Sequence, residues 1–414
     1  MEKEKIKITR GFVLTVSGFA ILAFVLVFAI ITLAIKSQGG DVEFSNESYE
    51  DDGVNNGQIQ NNGSGIESQS DMIDESILDF SEEIEISEVS DMSDASEYND
   101  EVDEIEHGWI INELGYTYVY NGCGYVQFNY KSSALERYVK TLNNFSLIAP
   151  IETNIYSITV PVVSTFADIP REIYVSDNFY NQAQSTFVTT VASKTDERIV
   201  HIPIVDQLEL SYDNDNYVYY RTDKNWTANG AYLAYVEFCK HANLDPLPIS
   251  AFKKNTVQGF LGSFYQATKL NAMKDSPDEY IYYLPSDGVR ASLTVYDNGM
   301  VYNNYSVCGN KVNHSAPQYV ILGRDAERYE INTTATVGSL LIVGDESTHA
   351  FVPFLLSHYN RIDIINPERF STSFEEFFAS RNYDDCLLMY YSTNSISGDY
   401  IPTLNSLTGA TENG

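Results

Sequence analysis

The chain has 414 residues, with 58 acidic against 25 basic side chains and a formal charge of −33. No basic stripe exists to neutralise phosphates, so nucleic acid is excluded as a partner. Four cysteines without a C-x-x-C pair form neither a disulfide framework nor the ligand spacing of a zinc or iron–sulfur site, and no metal or cofactor is implied.

Residues 11–35 carry no charge and are long enough to span a bilayer as a helix. Lys3, Lys5, Lys7 and Arg10 precede this stretch and only Lys36 follows it, which places the amino terminus in the cytoplasm and the remainder outside the cell. The sequence Ile35-Lys36-Ser37-Gln38-Gly39-Gly40 is a poor small-x-small cleavage site. Residues 1–36 are therefore expected to be a cytoplasmic stub and an uncleaved single-pass anchor, with the membrane as a partner.

Residues 37–106 lack lysine and arginine, and 23 acidic residues lie between Asp41 and Glu106 amid Asn, Ser and Gly. Such a segment repels itself and buries too little to fold, so a disordered acidic linker is expected. It accounts for most of the formal charge.

A folded domain is expected over 107–395. Tyr116–Tyr120 and Tyr125–Tyr130 alternate around Asn121-Gly122-Cys123-Gly124 as a hairpin. Leu135, Tyr138, Val139, Leu142 and Phe145 mark a helix, and strands and helices then alternate from Tyr156 to Val205. Units of that length require a parallel sheet with right-handed crossovers. Tyr217–Tyr220 reads as a strand running into a helix marked by Ala231, Tyr232, Tyr235, Phe238, Cys239 and Ala242. Val295-Tyr-Asp-Asn-Gly-Met-Val-Tyr302 is a hairpin signature and is read as an antiparallel insertion. Tyr319–Leu322 and Ser339–Val343 return to the core, followed by Ile362–Ile365, a helix over 373–380 and the strand Cys386–Tyr391. Residues 396–414 read as a polar, frayed tail. Cys239 and Cys386 fall in apolar patterns and are expected to be buried thiols, while a Cys123–Cys308 bridge is left open.

Two blocks carry the chemistry. The first is Tyr220-Arg221-Thr222-Asp223-Lys224-Asn225-Trp226-Thr227, followed by Gly230-Ala231-Tyr232. The second is Leu340-Leu-Ile-Val-Gly-Asp345-Glu346-Ser347-Thr348-His349-Ala350-Phe351-Val-Pro-Phe-Leu355. Together they resemble the signature blocks of the DHHW proteins of bacterial cell surfaces, relatives of the alginate O-acetylation proteins and of SGNH hydrolases. The resemblance implies an SGNH-like, doubly wound α/β domain with antiparallel hairpin insertions, preceded here by the transmembrane helix and acidic linker. It also implies a Ser-His-Asp triad in which an imidazole takes the serine proton and a carboxylate orients it.

Matched position by position, the triad residues fall on Asp223, Asn225 and Glu346, with the register fixed by Phe351–Leu355. The orienting carboxylate is kept. The base position holds an amide that cannot accept a proton near neutral pH, and the nucleophile position holds a carboxylate. A one-residue slip would make Ser347 the alternative nucleophile, with His349 nearby; the competing reading is that Ser347 and Thr348 cap a helix. Gly262, in Gln258-Gly-Phe-Leu-Gly-Ser-Phe-Tyr265, is the oxyanion candidate, its competing reading a turn glycine. Arg221, Lys224, Trp226, Asp345 and His349 are expected to line the site. Asp223, Asn225 and Glu346 are expected to converge within about 10 Å, with Ser347 pointing away and Lys224 as the cation beside the paired carboxylates.

Three functions compete on these residues. The first, favoured by the paired loss at 225 and 346, is a non-catalytic relative acting in cell-surface polysaccharide O-acylation or binding. The second is an active O-acyltransferase or esterase using Ser347. The third is a structural protein that binds other envelope proteins.

Overall fold

The computed structural model describes residues 106–410, apart from 113, 114, 215, 287, 310–315 and 337. The expected membrane span and acidic linker lie outside the described residues. Among the described residues, no helix is long and apolar enough to cross a membrane.

Three antiparallel strands open the described chain: β1 (His107–Asn112), β2 (Gly115–Tyr120) and β3 (Cys123–Tyr125). Asn121 and Gly122 both take left-handed φ, 51° and 73°, as a two-residue hairpin turn of the right twist requires. Helix α1 (Ser132–Ile148) follows and buries the predicted stripe Leu135, Tyr138, Val139, Leu142 and Phe145.

The central sheet has eight strands. The chain first supplies β4 (Asn154–Val160) and, after α2 (Arg171–Ser176) and α3 (Gln184–Lys194), the short parallel β5 (Ile199–His201). Helices α4 (Val205–Asp213) and α5 (Ala228–His241) come next, then a separate two-stranded ribbon of β6 (Phe252–Phe260) and β7 (Asp278–Pro285). Between these two strands lie α6 (Ser263–Thr268) and α7 (Asn271–Asp275). The chain then returns through β8 (Ala291–Asp297), β9 (Met300–Tyr305), β10 (Arg328–Thr333) and β11 (Ser339–Gly344). Helix α8 (Ser347–Phe351), β12 (Arg361–Ile365), α9 (Phe374–Ala379), β13 (Asp385–Tyr391) and α10 (Tyr400–Leu407) complete it.

The strand order is β5-β4-β13-β11-β12-β10-β8-β9. The first five are parallel to one another, and β10, β8 and β9 add antiparallel pairs beyond β12. The sheet is thus mixed, a five-stranded parallel core with a three-stranded antiparallel edge, where a parallel sheet with antiparallel hairpin insertions was expected. The 291–305 hairpin is part of the main sheet, joined to it by β10, which the sequence reading did not anticipate. The central strands β11 and β13 are buried nearly throughout, which is why they read as unbroken apolar runs.

Two further expectations change. Tyr217–Tyr220 is extended but makes only a single bridge, Tyr219 to Trp226, because the chain doubles back on itself there. Thr227 N–H donates to Val218 O at 2.9 Å and closes that loop. The stretch at 319–322 returns to the core as expected, with Val320, Ile321 and Leu322 buried, and a 3₁₀ turn covers Pro317–Val320. Residues 396–410 are not a frayed tail, since Ile401, Leu404 and Leu407 of α10 are buried. All four cysteines are free thiols, Cys239 and Cys386 buried as expected.

Candidate functional site

The second sequence block lies at the carboxyl end of β11. Strands β12 and β13 follow β11 in the chain and lie on opposite sides of it, so the direction of the connections reverses there. That reversal is where open α/β sheets form a crevice for ligands. Gly344 ends the strand, and a side chain there would put its Cβ 2.4 Å from Met389 O.

Asp345 enters the crevice as a buried anchor. Its Oδ1 accepts from Ser347 N–H at 3.0 Å and Ser347 Oγ at 2.5 Å; its Oδ2 accepts from Tyr391 N–H and Asn394 Nδ2, both at 2.7 Å. Burial and the neighbouring Glu346 charge push its carboxyl up to about 7, against the pull of those four donors. Ser347 is wholly buried and does not line the cavity, its hydroxyl held by Asp345. Thr348 does line it, with its Oγ1 donating to Asp345 O at 2.8 Å.

The first block is a loop held by Asp278, at the start of β7. Asp278 accepts from Thr222 N–H at 2.7 Å, Thr222 Oγ1 at 2.6 Å, Arg221 N–H at 3.2 Å and the Tyr217 hydroxyl. Arg221 turns to the same anchor, its Nε 3.5 Å from Asp278 Oδ1, and does not line the cavity as expected. Its guanidinium donates to Ser276 O at 3.0 Å, so its role is to clamp the loop.

Asp223 is buried and accepts from Asn225 N–H at 2.9 Å and Ser263 N–H at 2.7 Å. Burial raises its carboxyl above the usual range, and these two donors and Lys224 oppose the rise. Gly262 packs directly against it, so closely that an added Cβ would lie 2.2 Å from Asp223 Cβ. The Gly262 N–H donates to Thr222 Oγ1 at 3.0 Å, which leaves it engaged where an oxyanion donor would need to be free. Close approach to Asp223, rather than a turn, is what demands glycine there.

The two blocks meet through Trp226 and Lys224. Trp226 N–H donates to the Tyr391 hydroxyl at 3.0 Å, and its indole Nε1 donates to Ser347 O at 3.2 Å. Lys224 Nζ stands 2.6 Å from Glu346 Oε1, while the Tyr400 hydroxyl donates to Glu346 Oε2 at 3.3 Å. Burial works against both charges of the Lys224–Glu346 pair, but their attraction wins: the glutamate is held below its ordinary range and the lysine above its own. Burial pushes His349 below the usual imidazole value.

Asp223, Lys224, Asn225, Trp226, Gly262, Asp345, Glu346 and His349 line one cavity of about 710 Å³. Asn225 Oδ1 is buried there without a partner. Sequence reasoning missed Asp278, Tyr391, Asn394 and Tyr400, which hold the site in place, and the lining residues Ser263, Asp325, Glu368 and Arg369. None of these falls in the two blocks; Ser263 stood beside Gly262 in the 258–265 segment and Tyr391 was the last residue of an apolar strand, while the others gave no signal. Among the described residues, no group of three or more His, Cys, Asp or Glu could hold a metal ion.

The DHHW protein family model matches residues 58–365, well over half of the chain. The fold is similar to a DHHW family protein from Eubacterium siraeum, at 21% identity and a TM-score of 0.62, covering 72% of this chain and 97% of that one. It is also similar to Bacillus cereus PatB1, solved with a sulfonyl adduct, at 17% identity and a TM-score of 0.57, covering 69% of this chain and 98% of that one. No curated protein matches the sequence. With both signature blocks converging on one cavity in a fold of this kind, the chain belongs to the DHHW family.

Proposed function

We propose that this chain is a membrane-anchored, extracytoplasmic relative of polysaccharide O-acylating proteins that binds a saccharide in the DHHW cavity without turning it over. One observation carries the reading. Glu346, at the family's nucleophile position, is ion-paired to Lys224 at 2.6 Å, while the base position beside it is the amide of Asn225. Acyl transfer through a hydroxyl needs a base that can take its proton. The alternative nucleophile Ser347 lies buried against Asp345, and among the described residues no imidazole is hydrogen-bonded to it.

The anchor and the outward orientation rest on the apolar stretch 11–35 and its flanking cations. Protease added to intact cells should remove the folded domain, and a chain trimmed near residue 40 during export would refute the uncleaved anchor.

The test of the site is paired. The intact protein is incubated with acetyl esters and with a serine-directed fluorophosphonate, and separately titrated with cell-surface oligosaccharides. No ester turnover, no labelling and measurable saccharide binding are expected. Ester turnover or labelling abolished by Ser347→Ala would overturn the non-catalytic reading, and failure to bind any saccharide would overturn the binding role.

A further inference from the structure

We propose that the cavity selects a saccharide bearing free ammonium groups, an unacylated amino-sugar oligomer, over neutral or acidic glycans. This rests on the reading of the cavity as a saccharide site and names the class of sugar.

Among the described residues the lining holds five carboxylates, Asp223, Asp325, Asp345, Glu346 and Glu368, against two permanent cations, Lys224 and Arg369. Both cations are already matched. Lys224 pairs with Glu346, and Arg369 Nη2 lies 2.7 Å from Asp297 Oδ1, outside the lining. Asp223 and Asp345 are satisfied by donors from within the fold. Asp325 and Glu368 are exposed and form no ion pair among the described residues. Among the described residues the cavity lining therefore carries more acidic than basic groups.

The walls between these acids are aromatic. Tyr319, Tyr329 and Tyr400 line the same cavity, and the Tyr319 hydroxyl donates to Asp325 Oδ2 at 2.8 Å. Carboxylates beside ring faces complement an organic ammonium, by charge and by cation–π attraction. A uronic acid would face repulsion from the unmatched acids. A bare metal ion is disfavoured because the acids are spread along the walls; no group of three converges among the described residues. The overall charge of −33 adds long-range attraction for a cationic polymer.

The test is isothermal titration of the full-length protein with a glucosamine hexamer and an N-acetylglucosamine hexamer, at mildly acidic pH where the sugar amines are protonated. Asp325→Asn and Glu368→Gln are measured beside the parent. The amino oligomer should bind about tenfold more tightly than the acetylated one. Each variant should cut that preference about threefold. Equal affinities for the two oligomers would overturn the ammonium assignment and leave the saccharide reading intact. A preference that neither variant alters would also overturn it, locating the attraction in the acidic segment before residue 107. Binding of neither oligomer would overturn the ammonium assignment and leave the saccharide reading to the cell-surface oligosaccharide titration.

Discussion

Lys224 Nζ lies 2.6 Å from Glu346 Oε1, so the residue after the retained Asp223 is ion-paired to the residue at the family's nucleophile position. The pair joins the two sequence blocks across the cavity. Lys224 is about half exposed, which limits the energy of the contact by solvent screening. Glu346 has its carboxyl depressed by the lysine, so this stabilisation is present above the ordinary value of 4.5 and is lost as pH falls through the depressed value. Lys224→Ala is expected to cost roughly 1 kcal/mol at neutral pH. Denaturant unfolding of parent and variant should converge in acid, and a cost that persists unchanged there would show that packing, rather than charge, is lost.

Gly262 is fixed by contact with Asp223. A methyl group there would overlap Asp223 Cβ and Oδ2, at 2.2 and 2.4 Å, and the backbone on both sides is tied by hydrogen bonds. Gly262→Ala should destabilise the protein by about 1–3 kcal/mol through overpacking. A neutral result in thermal unfolding would mean that the Asp223 loop moves freely, contrary to its buried geometry.

Asp345 titrates in the opposite sense to Glu346. Its carboxyl is raised from 3.8 to about 7, so the folded state holds a proton that the unfolded state has released between those values. Its contribution is therefore greatest in acid and falls away as pH rises from about 4 to about 7. Asp345→Asn removes the titration and also sets an amide N–H₂ against donors now facing carboxylate oxygens. The stability gap between parent and variant should widen as pH falls from 7 toward 5. Parallel pH curves for the two proteins would show that the four donors keep Asp345 ionised.

Much of the scaffold was legible because its physics is local. Leu340–Val343 and Cys386–Tyr391 are unbroken apolar runs, as strands covered on both faces must be, and Asn121-Gly122 supplies the φ that its hairpin needs. The two blocks could be placed by motif, and the Thr227 cap before α5 closes the first, accepting from Asn229 N–H at 3.2 Å. What stayed hidden depends on partners distant in sequence. Asp278 reads as an ordinary polar residue until the fold brings the loop from Tyr217 to Thr222 onto it. Tyr217–Tyr220 has strand composition, yet its backbone pairs within its own loop. Arg221 stands inside a signature block and still serves the anchor rather than the cavity.

The carboxyl-terminal helix is the sharpest departure. Polar residues and Pro402 suggest a tail, but proline is tolerated in the first turn of a helix, and Ile401, Leu404 and Leu407 recur at three-residue spacing on the buried side. Leu404 is fully buried, so Leu404→Ala should cost about 2–5 kcal/mol, as in other well-packed cores. Unfolding of the variant at the parent's temperature would leave the helix as a frayed appendage.

Rebuilding the triad addresses the site most directly. Asn225→His with Glu346→Ser restores the family's residue types on a backbone where Asp223, position 225 and position 346 already share one cavity. A hydroxyl at 346 would replace the charge that Lys224 now pairs with, and an imidazole at 225 would stand next to the loop that Asp223 orders by accepting Asn225 N–H at 2.9 Å. The double variant should gain labelling by a serine-directed fluorophosphonate that the parent lacks, with each single variant unlabelled because neither has both nucleophile and base. Ester turnover should lag behind labelling, since Gly262 N–H donates to Thr222 and one missing oxyanion donor costs about 10²–10³ in rate. Labelling of the parent that Ser347→Ala abolishes would shift the nucleophile by one residue and overturn the non-catalytic reading.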